Sequence, residues 1–306
     1  MFTRRMVLAA TAGLALAAAS VAPAAAQAWK TEYKELVFAI VPAENASGVT
    51  ERYKPFTEYL TKELGVPVTL RVANDYAAVI EGQKAGNIHI GMYGPSAFAR
   101  ALMQGAKVDA VAMEVNADGT KGYYSVLYVK KDSPYQKIED LKGKNLGLVD
   151  PNSTSGNNVP RFAMNKMGID PEAFFSKVVF TGSHENAVIA LGQGTVDGAF
   201  NWWNDADESN LMRMERKGML KYSDFRIIFK SDQIVNSPMA IMSTLPADLQ
   251  ATLKTTILAF PTKDKAGFDK MTDGKAKPWE ATTNDAYKPI IELNKFVDEL
   301  RKKKAS

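Results

Sequence analysis

The 306-residue chain has no cysteine and only two histidines, His89 and His184. The first absence excludes disulfides, thiolate metal sites and thiol redox chemistry. The second leaves little for a metal centre, because the two histidines are far apart in sequence. Charge of one sign is also lacking. Thirty-eight Lys and Arg stand against 34 Asp and Glu; setting aside Arg4 and Arg5 of the leader leaves 36 against 34, or +2. Such balance gives no footprint for nucleic acid. The run Arg301-Lys-Lys-Lys304 reads as a solvated tail. Past the N-terminus no apolar run is long enough to span a bilayer.

The N-terminus reads as a secretory leader over residues 1–28. Arg4 and Arg5 form its basic region, Met6 to Ala18 its apolar region, and Ala24-Ala25-Ala26 a small-residue cleavage site, with Ala26-Gln-Ala28 as a second choice. Thr3 to Leu8 also fits a twin-arginine signal loosely. An uncleaved anchor is the competing reading, opposed by the short, alanine-rich run. The mature chain is expected to be exported, and about 280 residues suffice for one or two domains.

The remainder alternates strand and helix. Leu36 to Val41 is an apolar strand stopped by Pro42, and Ala43 to Thr50 a polar loop. Tyr53 to Leu64 is a helix closed by Gly65. Val68 to Val72 and Ile88 to Tyr93 are strands, each followed by a helix, Tyr76 lying in the first. Val108 to Val115 and Tyr123 to Lys130 are strands, as are Val178 to Phe180, Val196 to Asn201, Phe225 to Phe229 and Met239 to Met242. Everything from Leu245 reads as helix. The segments Tyr76 to Tyr93 and Asn186 to Asn201 repeat one pattern: helix, Gly-Gln, turn, apolar strand. The pattern predicts two doubly wound α/β lobes, 29–126 with 243–306 and 127–242, joined by a two-segment hinge around a cleft.

The stretch Asp150-Pro-Asn-Ser-Thr-Ser-Gly156 follows an apolar strand (Asn145 to Val149) and precedes a helix (Val159 to Met167). A strand that ends in a small polar turn and opens a helix aims free N–H groups and the helix dipole at one point. Ser153, Thr154 and Ser155 add three hydroxyls, and Gly156 allows close backbone approach. The turn suits a small tetrahedral oxyanion; a simple helix cap is the other reading.

This turn, with Asp75-Tyr76-Ala, Tyr93-Gly94, Gly122-Tyr123 and His184-Glu185, resembles the periplasmic phosphonate-binding proteins of ABC importers over most of residues 35–245. The resemblance implies a type II periplasmic binding protein, a solute-binding protein rather than an enzyme. It implies a phosphonate group held by Ser153, Thr154, Ser155, Tyr76, Tyr123 and His184, with Tyr76 and Tyr123 opposite the turn. It also implies a membrane permease as partner, a monomer, and neither cofactor nor metal. Tyr93 is read as lining the pocket or filling the core. Family members that take aminoalkylphosphonates surround the ammonium with acidic residues; the matching positions are Asn204 and Ser237, neither acidic, although Asp205 is adjacent. The pocket is therefore expected to favour a phosphonate without an amine, or phosphite. Trp202 and Trp203 either shape the pocket or split between core and surface, with a cation–π contact as a further use.

Other classes stay open at this point. Aminoalkylphosphonate, phosphate, sulfonate and other organic anions suit related pockets. A hydrolase built on Ser153 or Ser155 with His184, oriented by Glu185 or Asp150, is disfavoured because neither serine sits in a Gly-x-Ser-x-Gly elbow. His89 and Asp197 read as structural.

Overall fold

The structure, a computed structural model, describes residues 28–41 and 43–305. The leader reading and the strand stop at Pro42 lie outside the described residues, save Ala28. Among the described residues no helix is long and apolar enough to cross a membrane.

The first lobe runs α1 (Trp29–Glu32), β1 (Leu36–Ile40), α2 (Ala46–Leu64), β2 (Val68–Val72), α3 (Tyr76–Lys84), β3 (Ile90–Met92), α4 (Pro95–Met103) and β4 (Val108–Asn116). The second runs β5 (Gly122–Lys130), β6 (Asn145–Leu148), a π-turn (Thr154–Asn158) continuing into α5 (Val159–Lys166), α6 (Pro171–Phe174) and β7 (Lys177–Phe180). It continues with α7 (His184–Gly192), β8 (Gly198–Trp203), α8 (Asn210–Arg216), β9 (Phe225–Lys230) and β10 (Ile234–Val235). The chain returns to the first lobe through β11 (Pro238–Met242), α9 (Ala247–Lys263), α10 (Lys265–Thr272) and β12 (Ala276–Ala281), and ends in α11 (Lys288–Ala305).

The two sheets share one plan. The first has the order β12-β4-β11-β3-β1-β2 and the second β10-β5-β8-β6-β7, with β9 also on β5. In each, three parallel strands (β2-β1-β3 and β7-β6-β8) are extended by an antiparallel strand, β11 or β5. The central strands β1 and β6 are almost wholly buried because helices cover both faces, which explains their unbroken apolar runs. An aromatic cluster anchors the first lobe: the Phe56 ring meets Phe38 at 5.3 Å, Phe260 at 5.0 Å and Trp279 at 5.5 Å.

Several expectations need correction. Tyr123 to Val126 belong to β5 in the second sheet, and Pro238 to Met242 to the first, so the chain crosses at 117–121 and 236–237 rather than at 126 and 242. The physical reason is pairing: β11 fills the slot between β3 and β4, which no earlier strand occupies. Helix α2 begins at Ala46, inside the expected loop, because the Asn45 side chain accepts from Gly48 N and caps it. The tail is not all helix, since β12 adds an edge strand to β4. Helix α11 touches both lobes: Asn294 Nδ2 donates to Ser96 O at 2.8 Å in α4, and the Phe296 ring meets Phe162 of α5 at 5.3 Å.

A candidate oxyanion cavity between the lobes

A cavity of about 140 Å³ lies between the lobes, and Tyr76, Tyr123, Ser153, Thr154, Ser155, His184, Asn204, Ser237 and Tyr93 all line it. Four helical segments start at its wall: α3 at Tyr76, α4 just after Gly94, the π-turn at Thr154 and α7 at His184. The first N–H groups of a helix have no intrahelical acceptor, and the aligned peptide dipoles make that end electropositive. Caps fix three of these starts. Asp75 accepts from Ala78 N at 2.7 Å, Ser153 Oγ from Gly156 N at 3.1 Å and Ser183 Oγ from Asn186 N at 3.1 Å.

The Ser153-Thr154-Ser155 turn is tied from every side. Asp150 accepts from Asn152 N at 2.7 Å and, across the lobes, from Tyr76 N at 3.5 Å. Ser125 Oγ donates to Ser155 O at 2.7 Å. Thr154 Oγ1 accepts from Ser96 N, at the start of α4 in the other lobe, at 2.8 Å. Gly156 is required by space: a Cβ there would stand 2.4 Å from Val149 Cγ2 and 2.8 Å from Ser153 Oγ.

The tyrosines complete the donor set. The Ser153 side chain lies close enough to the Tyr76 phenol, and those of Thr154 and Ser155 to the Tyr123 phenol, to act on their titration. Burial raises both phenol pKa values, so each is a neutral donor at pH 7. Tyr76 faces the turn from the first lobe as expected, whereas Tyr123 shares the second sheet with it. The Tyr93 hydroxyl donates to Gln83 Oε1 at 2.6 Å in the core, so only part of that residue borders the cavity.

His184 is neutral. Burial lowers its pKa to about 4, against the pull of its hydrogen bond with Asn201. Asn201 Nδ2 donates to His184 O and its Oδ1 accepts from Trp202 N, both at 2.9 Å, which fixes the amide. Oδ1 therefore accepts from His184 Nδ1, also at 2.9 Å, and the Nε2 lone pair points to Ser153 Oγ at 3.5 Å. The neutral ring thus presents an acceptor where a donor was expected. No carboxylate orients it: Glu185 binds Lys217 and Asn45 N, and Asp150 caps the turn.

The far wall was not foreseen in full. Asn204 Nδ2 donates to Asn116 Oδ1 at 3.1 Å across the lobes. Asp205 turns away to accept from Asp207 N and Glu208 N, both at 2.8 Å. Trp202 lines the cavity with the Arg213 guanidinium 4.8 Å above its ring, while Trp203 lies off the cavity with Lys230 Nζ 4.0 Å above its ring. The cavity is not free of carboxyls, contrary to expectation, since Glu114 and Glu208 line it. The signal for Glu114 was one charged residue inside the apolar run Ala110 to Val115. His89 accepts from Val37 N at 2.9 Å and Asp197 from Asn145 N at 2.9 Å, both away from the cavity.

The cavity wall runs on into an ionic rim that joins the lobes, with Glu208 and Arg213 belonging to both. Lys217 Nζ contacts Glu44 and Glu185, each at 2.7 Å. Arg216 contacts Glu208 at 2.6 Å and Asp273 at 2.9 Å, and Arg52 contacts Glu44 at 2.7 Å. Burial works against the charge on Glu44, but Arg213, Arg52 and Lys217 hold its carboxyl below the usual range.

The family model described as ABC transporter, phosphonate, periplasmic substrate-binding protein matches residues 38–287. The chain is 32% identical over 228 residues to the phosphate-import protein PhnD of Mycolicibacterium smegmatis, covering 72% of this chain and 70% of that one. It is 33% identical over 210 residues to the phosphonates-binding periplasmic protein of Escherichia coli, covering 67% of this chain but only 60% of the relative's length. A crystal structure of the binding protein component of a Pseudomonas aeruginosa ABC phosphonate transporter superposes with a TM-score of 0.77 at 28% identity, over 86% of each chain. With the two-lobed architecture and the turn at 150–156, these likenesses establish that the chain belongs to the phosphonate-type periplasmic substrate-binding proteins of ABC transporters.

Proposed function

We propose that this protein captures a small phosphonate or phosphite-like oxyanion between its lobes and delivers it to the permease of an ABC importer. The observation that carries the reading is the meeting of four helix starts from two lobes on one small cavity. Helix N-termini, neutral hydroxyls and phenols stabilise an anion without a buried counter-charge. The cavity is small, about 140 Å³, which suits a compact ligand.

In this reading Thr154, Ser155, Tyr76 and Tyr123 donate to the anion oxygens, while Ser153, whose one O–H is turned to His184 Nε2, borders the anion and caps the turn that aims the N–H groups at it. Neutral His184 keeps the Ser153 hydroxyl in place, and Asn204 and Ser237 border the substituent. The hinge is the pair of crossings at 117–121 and 236–237, and binding favours closure by the ligand's preference for the closed state. The chain acts as a monomer, exported through its leader, and does not turn its ligand over.

The test is calorimetric titration of the mature chain, stripped of carried-over ligand, with methylphosphonate, phosphite, phosphate, 2-aminoethylphosphonate and an alkylsulfonate. Tight binding of methylphosphonate or phosphite is expected, with 2-aminoethylphosphonate weaker. A preference for the sulfonate, or hydrolysis of a phosphonate ester, would sink the reading.

A further inference from the structure

Glu114 is the one carboxyl on the cavity wall without an ion-pair partner among the described residues. It stands on β4 in the first lobe, half-buried, and what remains exposed borders the cavity. The other carboxyl, Glu208, is held by Arg213 and by Arg216, the latter at 2.6 Å. The Glu114 carboxyl has the Ser237 side chain close enough to favour its charged form.

Its charged and titratable surroundings come from every side. Tyr53 of α2, Tyr123 of β5 and Tyr287 ahead of α11 are close enough for its charge to act on their phenols. Arg52 and Arg213 also act on it but stay beyond ion-pair distance, each committed elsewhere: Arg52 to Glu44, Arg213 to Glu208 and the Trp202 ring. Burial pushes the Glu114 carboxyl up, Arg213 and Arg52 pull it down, and Glu208 pushes it up again; the net direction is up.

An ionised Glu114 would share about 140 Å³ with an oxyanion, and the two like charges would repel. A neutral carboxyl reverses the sign of the contact, because it carries one O–H donor. Neutral His184 cannot fill that role, as its only N–H is spent on Asn201. Resting on the small-oxyanion reading above, we propose that Glu114 acts as a neutral acid that donates its proton in a hydrogen bond to one oxygen of the bound anion. It would supply from the first lobe what the Ser-Thr-Ser turn supplies from the second. It would also set specificity against ligands that bring a cation, since an ammonium gains only from the ionised form.

The test compares wild type, Glu114→Gln and Glu114→Ala by titration with methylphosphonate and 2-aminoethylphosphonate. Gln keeps the shape and an N–H donor without charge. The proposal expects Glu114→Gln to bind methylphosphonate within about threefold of wild type and Glu114→Ala to bind about tenfold or more weakly. It is overturned if Gln costs as much as Ala. It is equally overturned if Gln spares or improves methylphosphonate but loses 2-aminoethylphosphonate, the signature of a carboxylate holding an ammonium. A folded wild type that binds no phosphorus anion removes the ligand reading and this inference together, whereas failure confined to the variants removes the inference alone.

Discussion

The floor of the cavity and its rim are built from opposite materials. The floor presents hydroxyls, phenols, helix ends and a neutral imidazole, with no Lys or Arg on the turn or on the helix starts around it. The rim carries Glu44, Arg52, Glu185, Arg213, Arg216, Lys217 and Asp273 in one ionic network that crosses between lobes, and of these Arg213 reaches the cavity wall. The contrast separates two tasks. Recognition of an anion by dipoles depends on geometry and tolerates little movement. Holding two lobes together by ion pairs tolerates movement, is screened by salt, and can be remade on each closure.

Breaking the floor should have the largest effect. Gly156→Ala places a Cβ against Val149 Cγ2 at 2.4 Å and forces the turn apart. Methylphosphonate affinity should fall beyond about a hundredfold while the melting temperature shifts only modestly, since the change is local. Titration and a melting curve on one preparation check both.

Next comes Thr154→Ala. It removes the acceptor of Ser96 N, leaving that donor of the first lobe unmatched, and takes away one of the two hydroxyls beside Tyr123. A loss of about 1–2 kcal/mol, roughly tenfold or more in affinity, is expected by titration. Unchanged affinity would mean that the turn does not touch the ligand.

Rim changes should be smaller and salt-sensitive. Lys217→Met removes a cation shared by Glu44 and Glu185 across the lobes. Affinity should drop about threefold at low ionic strength, and the gap from wild type should narrow as salt is raised. A loss as large as that of Thr154→Ala would erase the distinction between floor and rim.

The smallest effect at neutral pH concerns His184, which is neutral there in folded and unfolded chain alike. Its folded pKa, about 4, lies below the ordinary 6.5. The unfolded state therefore takes up a proton first as pH falls, and folding stability declines between about pH 6.5 and 4. The drop is bounded at about 3.5 kcal/mol, from about 1.4 kcal/mol per unit over the shift from 6.5 to about 4. His184→Gln should melt less steeply with acid over that window; identical pH profiles would show that the imidazole is not held neutral.

The sequence made some of this legible and hid the rest. The turn at 150–156 could be read as a strand-to-helix turn because small polar residues stand between an apolar strand and a helix; the family resemblance, not the pattern, raised an anion site over a simple helix cap. Tyr76 and His184 were placed by the family resemblance alone; each opens a helix after a capping residue, Asp75 or Ser183, and that pattern by itself reads as a cap or packing site. Tyr123 was put in the wrong lobe because the crossing falls in a short turn between two strands of equal length and similar pattern. Asn204 and Asp205 sit in a loop whose hydrogen bonds decide which one faces inward, and composition says nothing of that. Glu114 was passed over because its strand is buried on both faces, so no alternation marked the cavity side. The edge strand β12 was missed because Lys277, Pro278 and Glu280 look unlike a core strand, as exposed edges do. The imidazole's acceptor role followed from the Asn201 amide, seventeen residues away.

The most direct test of the central claim is titration of methylphosphonate into the ligand-free mature wild-type chain. The account predicts saturable one-to-one binding, competed by phosphite and weaker for 2-aminoethylphosphonate. A folded protein that releases no heat with any phosphorus anion, yet binds a sulfonate or an amino acid, would contradict it.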